Sequence, residues 1–66
     1  MRNTLKVERA KKAWTQGDLA EKIGVSRQTI NSIETGKFIP STLLALKMAK
    51  VFGTTVEQIF ELEEGD

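Results

Sequence analysis

Three residues, Gly24-Val25-Ser26, separate the end of one helix-forming segment from the start of the next. No other feature constrains the fold of this chain as much. The segment before them opens at Thr15, with Asp18 three positions on. That is capping-box spacing, with Asp in place of Glu. Trp14 before the cap and Leu19 after it stand at hydrophobic-staple spacing, and Gly24 is a natural left-handed helix stop. Ser26 caps the following segment, Val25 and Ile30 form a second staple around it, and Gly36 closes it. So short a connection allows only a tight turn. Leu19, Ala20 and Ile23 supply the apolar face of the first helix, and Ile30 and Ile33 that of the second. Ala20 is small where the helices must approach, and Gly24 can adopt the backbone angles of the turn. The result is a helix-turn-helix unit over about residues 15–36. Its second helix is held by its inner face and exposed on its outer one.

That outer face carries Arg27, Gln28, Asn31 and Ser32, with Thr35 further on. Arg can fork onto guanine, and Gln or Asn onto adenine. These side chains also lie near a helix N-terminus, where unpaired N–H groups and the dipole favour phosphate. A polar helix face is by itself ordinary solvated surface. The two caps, two staples and the glycine turn are what favour a reading surface instead. Charge is spread unevenly along the chain. All ten Lys and Arg lie in residues 1–50 with only four acids, a surplus of six positive charges, whereas residues 51–66 hold five acids and no base. By charge alone this is either ordinary solvated surface or a basic face for phosphates with an acidic end turned away from them.

The rest of the chain reads as further helices: about Thr4 to Ala13, from Pro40-Ser41 to Gly53, and about Val56 to Phe60. The expected fold class is therefore all-α, one domain of five helices over residues 1–66, at the small end of what folds unaided. Phe60-Glu61-Leu62-Glu63 alternates at strand period and is a candidate short strand, with Met1–Asn3 its candidate partner. There is no cysteine and no histidine, so no disulfide and no usual zinc site is expected, and no cofactor or metal. No apolar run approaches the roughly 20 residues of a membrane span, and Met1-Arg2-Asn3-Thr4 lacks the apolar segment expected of a signal peptide. A cytoplasmic setting is expected. Without His, Cys, Tyr or a glycine-rich phosphate loop, and with carboxylates scattered, no acid/base pair is placed and no enzyme is expected.

Gln16-x-x-Leu19-Ala20-x-x-x-Gly24-Val25-Ser26-x-x-Thr29-Ile30-x-x-Ile33-Glu34-x-Gly36-x-x-x-Pro40 closely resembles the phage-repressor and Cro-like helix-turn-helix family, in its short single-domain members. The likeness covers about residues 3–60. It implies a λ-repressor-like fold and sequence-specific binding of double-stranded DNA by a transcriptional regulator, with repression the expected role. By the same resemblance Gln16 touches phosphate and braces the reading helix. Arg27, Gln28, Asn31 and Ser32 take base-reading positions, and Ser26, Thr35 and Lys37 touch the phosphate backbone. Arg9 and Glu34 match an internal salt bridge. A lone surface acid at Glu34 would repel phosphate, which also argues for pairing. Glu8 and Thr42 depart from the family habit of an apolar residue.

The helix that follows Pro40-Ser41 is apolar nearly all round. Thr42, Ala45, Leu46, Ala49 and Phe52 are expected to face the core. Leu44, Met48 and Val51 form a surplus stripe, to which Ile59, Phe60 and Leu62 add. These are either core or a self-complementary surface. Because so small a monomer struggles to bury both stripes, a homodimer built from about residues 44–64 is expected, on a palindromic operator. The alternative reading is an antitoxin-like or other protein-interaction module that uses the apolar C-terminal surface.

Overall fold

Local hydrogen bonds set the boundaries of five helices, α1 (Leu5–Lys12), α2 (Gln16–Ile23), α3 (Arg27–Glu34), α4 (Thr42–Phe52) and α5 (Val56–Ile59). Strands β1 (Arg2–Asn3) and β2 (Phe60–Glu61) flank them in a computed structural model that describes residues 1–66. Thr15, Ser26, Ser41 and Thr55 each accept a backbone N–H three residues on, from Asp18, Thr29, Leu44 and Gln58. At α2 the box closes in both directions. Thr15 Oγ1 accepts from the Asp18 N–H at 3.0 Å, and the Asp18 carboxylate accepts from the Thr15 N–H at 2.9 Å. Gly24 ends α2 with φ 74°, a conformation that disfavours any side chain. Ala13 ends α1 in the same region, φ 58°, the one residue other than glycine found there.

The core is a single cluster of thirteen buried apolar residues. Leu19, Ala20 and Ile23 of α2 meet Ile30 and Ile33 of α3, and α4 packs beneath them with Met48 completely enclosed. No polar or charged residue is buried, and no buried side-chain nitrogen or oxygen lacks a partner. The terminal strands form an antiparallel ribbon, Arg2 opposite Glu61 and Asn3 opposite Phe60, with an Arg2–Glu61 ion pair across it. Asn3 Nδ2 also donates to the Ile33 carbonyl at 2.9 Å, which ties the ribbon to the end of α3.

The phase of α4 differs from the sequence expectation. Leu44, Met48, Ile59 and Phe60, expected at a dimer surface, are buried in the chain's own core. The reason is that α5 folds back onto α4 and β2 pairs with β1, closing over that stripe. Val51 is half-buried against the same core, and of the six residues only Leu62 is exposed. Ala45, Ala49 and Phe52 face inward as expected, but Thr42 and Leu46 do not. Leu46 is 56% exposed and lies with Leu43 and Ile39 on an outward apolar face.

Candidate nucleic-acid interface

Because Ile30 and Ile33 are buried, α3 turns Arg27, Gln28 and Asn31 to solvent, with Ser32 half-buried at the edge. The start of α2 joins this face. Arg27 Cδ lies 3.9 Å from where a Cβ on Gly17 would stand, so its stem runs beside the first turn of α2. Gln16 reaches across: its Nε2 donates to Asn31 Oδ1 at 3.2 Å and to Glu34 Oε1 at 3.1 Å. Gln16, Arg27 and Asn31 therefore belong to one continuous surface, flanked on α3 by Gln28 and Ser32.

The residues matched to phosphate positions differ in how free they are. Ser26 Oγ accepts from the Thr29 N–H at 3.1 Å and shares a 2.9 Å hydrogen bond with the Thr29 hydroxyl. Thr35 Oγ1 donates to the Asn31 carbonyl at 2.9 Å, and to that of Ser32 at 3.3 Å. Both hydroxyls are engaged in holding the ends of α3. Lys37 is exposed and in no ion pair. Its N–H and that of Phe38 both donate to the Ser32 carbonyl, at 2.9 and 3.1 Å, folding the segment after α3 back along the helix. This places Phe38, 49% exposed, over a hollow of about 380 Å³ shared with Gln28, Ser32 and Lys37. Sequence reasoning passed over Phe38. The available signal was a large aromatic in an otherwise polar turn two residues after Gly36.

Glu34 sits behind this face, not on it. Arg9 Nε donates to Glu34 Oε2 at 2.5 Å and Arg9 Nη2 to Oε1 at 3.0 Å, a fork-on-fork pair. Arg9 Nη1 donates to the Trp14 carbonyl at 2.8 Å, so the same guanidinium anchors the α1–α2 connection. The side chains are only 13% and 6% exposed. Burial alone would push the Glu34 carboxyl up. The hydrogen bonds from Arg9 and Gln16 outweigh it and hold the group below the ordinary carboxylate range. The one acid on the reading helix is thus ionised and neutralised by a cation behind it.

Ile39, Pro40, Leu46, Val56 and Phe60 line a separate apolar hollow of about 220 Å³. It shares no residue with the hollow along α3. No group of His, Cys, Asp or Glu is arranged to hold a metal ion, and no helix is long and apolar enough to cross a membrane.

Residues 5–59 match the family model described as Helix-turn-helix. The chain belongs to this family. Its type is the phage-repressor and Cro-like one, and its members are DNA-binding transcriptional regulators. It is 54% identical over 66 residues to an HTH-type transcriptional regulator of Methanocaldococcus jannaschii, with both chains fully covered. It is 47% identical over 64 residues to the regulator YgzD of Bacillus subtilis, covering 97% of each. Among solved structures, the SOS-response transcriptional repressor LexA of Eubacterium rectale superposes with a TM-score of 0.80 at 31% identity, over 94% of this chain and 66% of that one. The clp gene regulator ClgR of Corynebacterium glutamicum gives 0.73, also at 31% identity, over 79% of this chain and 55% of that one. This helix-turn-helix regulator thus spans little more than half of ClgR and about two thirds of that LexA chain.

Proposed function

We propose that this regulator is a homodimeric repressor that reads a palindromic operator in the cytoplasm, with α3 in the major groove. The observation that carries this reading is the composition of one surface. Arg27, Gln28, Asn31 and Ser32 project from α3, and Gln16 and Lys37 flank them. The one acid on α3, Glu34, is drawn back onto Arg9. Arg27 and Gln28, in the first turn of α3, read base edges; Asn31 and Ser32 read further along the groove. Gln16, Ser26, Thr35 and Lys37 set the register on phosphates, and Phe38 adds an apolar contact beside them. An eight-residue helix covers only about 12 Å of groove. One copy therefore reads a half-site, and two copies related by a two-fold axis read successive turns about 34 Å apart. The pairing surface is the exposed Ile39, Leu43 and Leu46, beside the apolar hollow. A protein-interaction module of the antitoxin kind would use the same apolar face for a different chain.

Binding to a selected site and to random duplex DNA, over a range of salt, tests the reading. Gln28→Ala is expected to cost about 1–3 kcal/mol on the selected site and little on random DNA. Lys37→Ala is expected to weaken both alike and to reduce the salt slope by about one unit. Equal losses for Gln28→Ala on both duplexes would refute base reading.

A further inference from the structure

The chain has one Trp and three Phe, and only one of these rings stands open to solvent. Trp14 stacks on Phe52 with ring centres 5.3 Å apart, and Phe52 and Phe60 are buried in the core. Phe38 is the exception. Its place is set by the backbone. Gly36 takes φ 79°, and the Lys37 and Phe38 N–H groups both close onto the Ser32 carbonyl, so the chain turns back along the end of α3. The ring comes to line the same hollow as Lys37 and as Gln28 and Ser32, which stand about one helical turn apart on α3. It does not line the apolar hollow of Ile39, Leu46 and Phe60, so it belongs with the reading face and not with the pairing surface. The Ser32 hydroxyl makes no hydrogen bond within the chain, whereas those of Ser26, Thr29 and Thr35 do.

We propose that Phe38 reads the C5-methyl group of a thymine, a specificity contact made from outside the helix-turn-helix unit. The inference rests on the proposed placement of α3 in the major groove, and it names the group that the apolar contact beside Lys37 takes. In that groove thymine alone presents a methyl group; guanine, adenine and cytosine present hydrogen-bonding atoms. The hollow combines one aromatic wall, one free hydroxyl and one unpaired cation. Thymine answers each of them. Its methyl group packs on the Phe38 ring, its O4 accepts from the Ser32 hydroxyl, and a neighbouring phosphate meets Lys37. Gln28 keeps its own base edge beside this contact. Deoxyribose is apolar too, but it is the same in every nucleotide, so a ring packed on sugar would not tell thymine from uracil.

A preferred site selected from random duplexes, with its thymines replaced one at a time by uracil, tests it. Uracil lacks the methyl group and keeps O4. With the unmodified protein, one thymine in each half-site is expected to lose about fourfold in affinity on this replacement, the worth of one buried methyl or methylene group. In Phe38→Ala, whose fold is checked by circular dichroism, thymine and uracil at that position are expected to bind alike, within about 1.5-fold, while the cost of uracil at every other thymine stays as it was. Loss of fold or of overall affinity would lower binding to both duplexes together, so the ratio between them reports the methyl contact alone. Lower salt strengthens binding to both and keeps that ratio measurable if Phe38→Ala binds weakly. Two results would overturn the inference: a preferred half-site in which no thymine methyl group matters, or a methyl cost that persists undiminished in Phe38→Ala. If Arg27→Ala and Gln28→Ala leave every base preference of the selected site intact, the groove placement itself fails. If they alter preferences and no methyl cost depends on Phe38, only the reading by Phe38 fails.

Discussion

A carboxylate beside a surface meant for phosphate is an electrostatic liability, and at Glu34 the chain converts it into a brace. With side chains 13% and 6% exposed, the pair with Arg9 is mostly withdrawn from water, and removing one partner leaves an uncompensated charge. Glu34→Gln is therefore expected to lower stability at pH 7 by about 1–3 kcal/mol in urea unfolding, between the exposed and the fully buried case. The folded-state pKa of Glu34 lies below that of the unfolded chain, so its contribution is complete above the ordinary carboxylate range, about 4.3. It is lost as the pH falls through the depressed value. Asp18, held low by hydrogen bonds with the Thr15 N–H and hydroxyl, behaves alike in both proteins. The difference between the two pH profiles thus isolates Glu34. Parallel profiles would show that Glu34 does not supply this pH dependence. The Arg9–Glu34 pairing was legible through the family pattern. The link from Gln16 to Asn31 was not, because it spans fifteen residues and exists only once α2 and α3 have crossed.

Elements whose ends depend on local chemistry were readable in advance. Thr15 and Ser26 cap the helices they were expected to cap, and Ser41 caps α4 in the same way, because an i to i+3 hydrogen bond needs nothing beyond the next turn. The face that α4 buries was not readable. Leu43, Leu44, Ala45, Leu46, Met48 and Ala49 wrap the whole circumference, so periodicity gives no phase. The choice is made by where α5 and β2 come to rest. One helix end departs from good practice. Ala13 carries a side chain at φ 58°, where a Cβ costs roughly 1–2 kcal/mol. Ala13 is exposed and its N–H bonds are made by the backbone, so nothing is lost when the methyl group goes. Ala13→Gly is expected to raise stability by about 1 kcal/mol, after the greater freedom of glycine in the unfolded chain is counted. A thermal midpoint several degrees higher would show it, and a lower midpoint would mean that the Ala13 methyl group packs against something.

At the scale of the whole molecule, one apolar surface remains after the core is complete. Ile39, Leu43 and Leu46 are each more than half exposed. In the homodimer proposed above, Leu46→Glu is expected to shift sedimentation equilibrium toward monomer and weaken operator binding while the thermal midpoint measured at low concentration stays within about 3 °C, since surface substitutions usually change stability by less than about 0.5 kcal/mol. Met48→Asp, at the enclosed centre of the core, is expected to unfold the chain outright. A monomeric protein at high micromolar concentration that still binds its operator tightly would defeat the dimer. The ribbon of β1 and β2 bears on a different property, the order of folding. Its partners Arg2 and Glu61 stand 59 positions apart in the chain. Joining them in an unfolded chain costs about 3–4 kcal/mol in loop-closure entropy beyond a constant, whereas the helix contacts close short loops. Only after the helices have assembled are the ends already near each other. The ribbon should then be the last part to form and the first to open, so the amide of Thr4, which donates to the Ile59 carbonyl at 2.8 Å, should exchange with solvent far faster than those at the centres of α2 and α4.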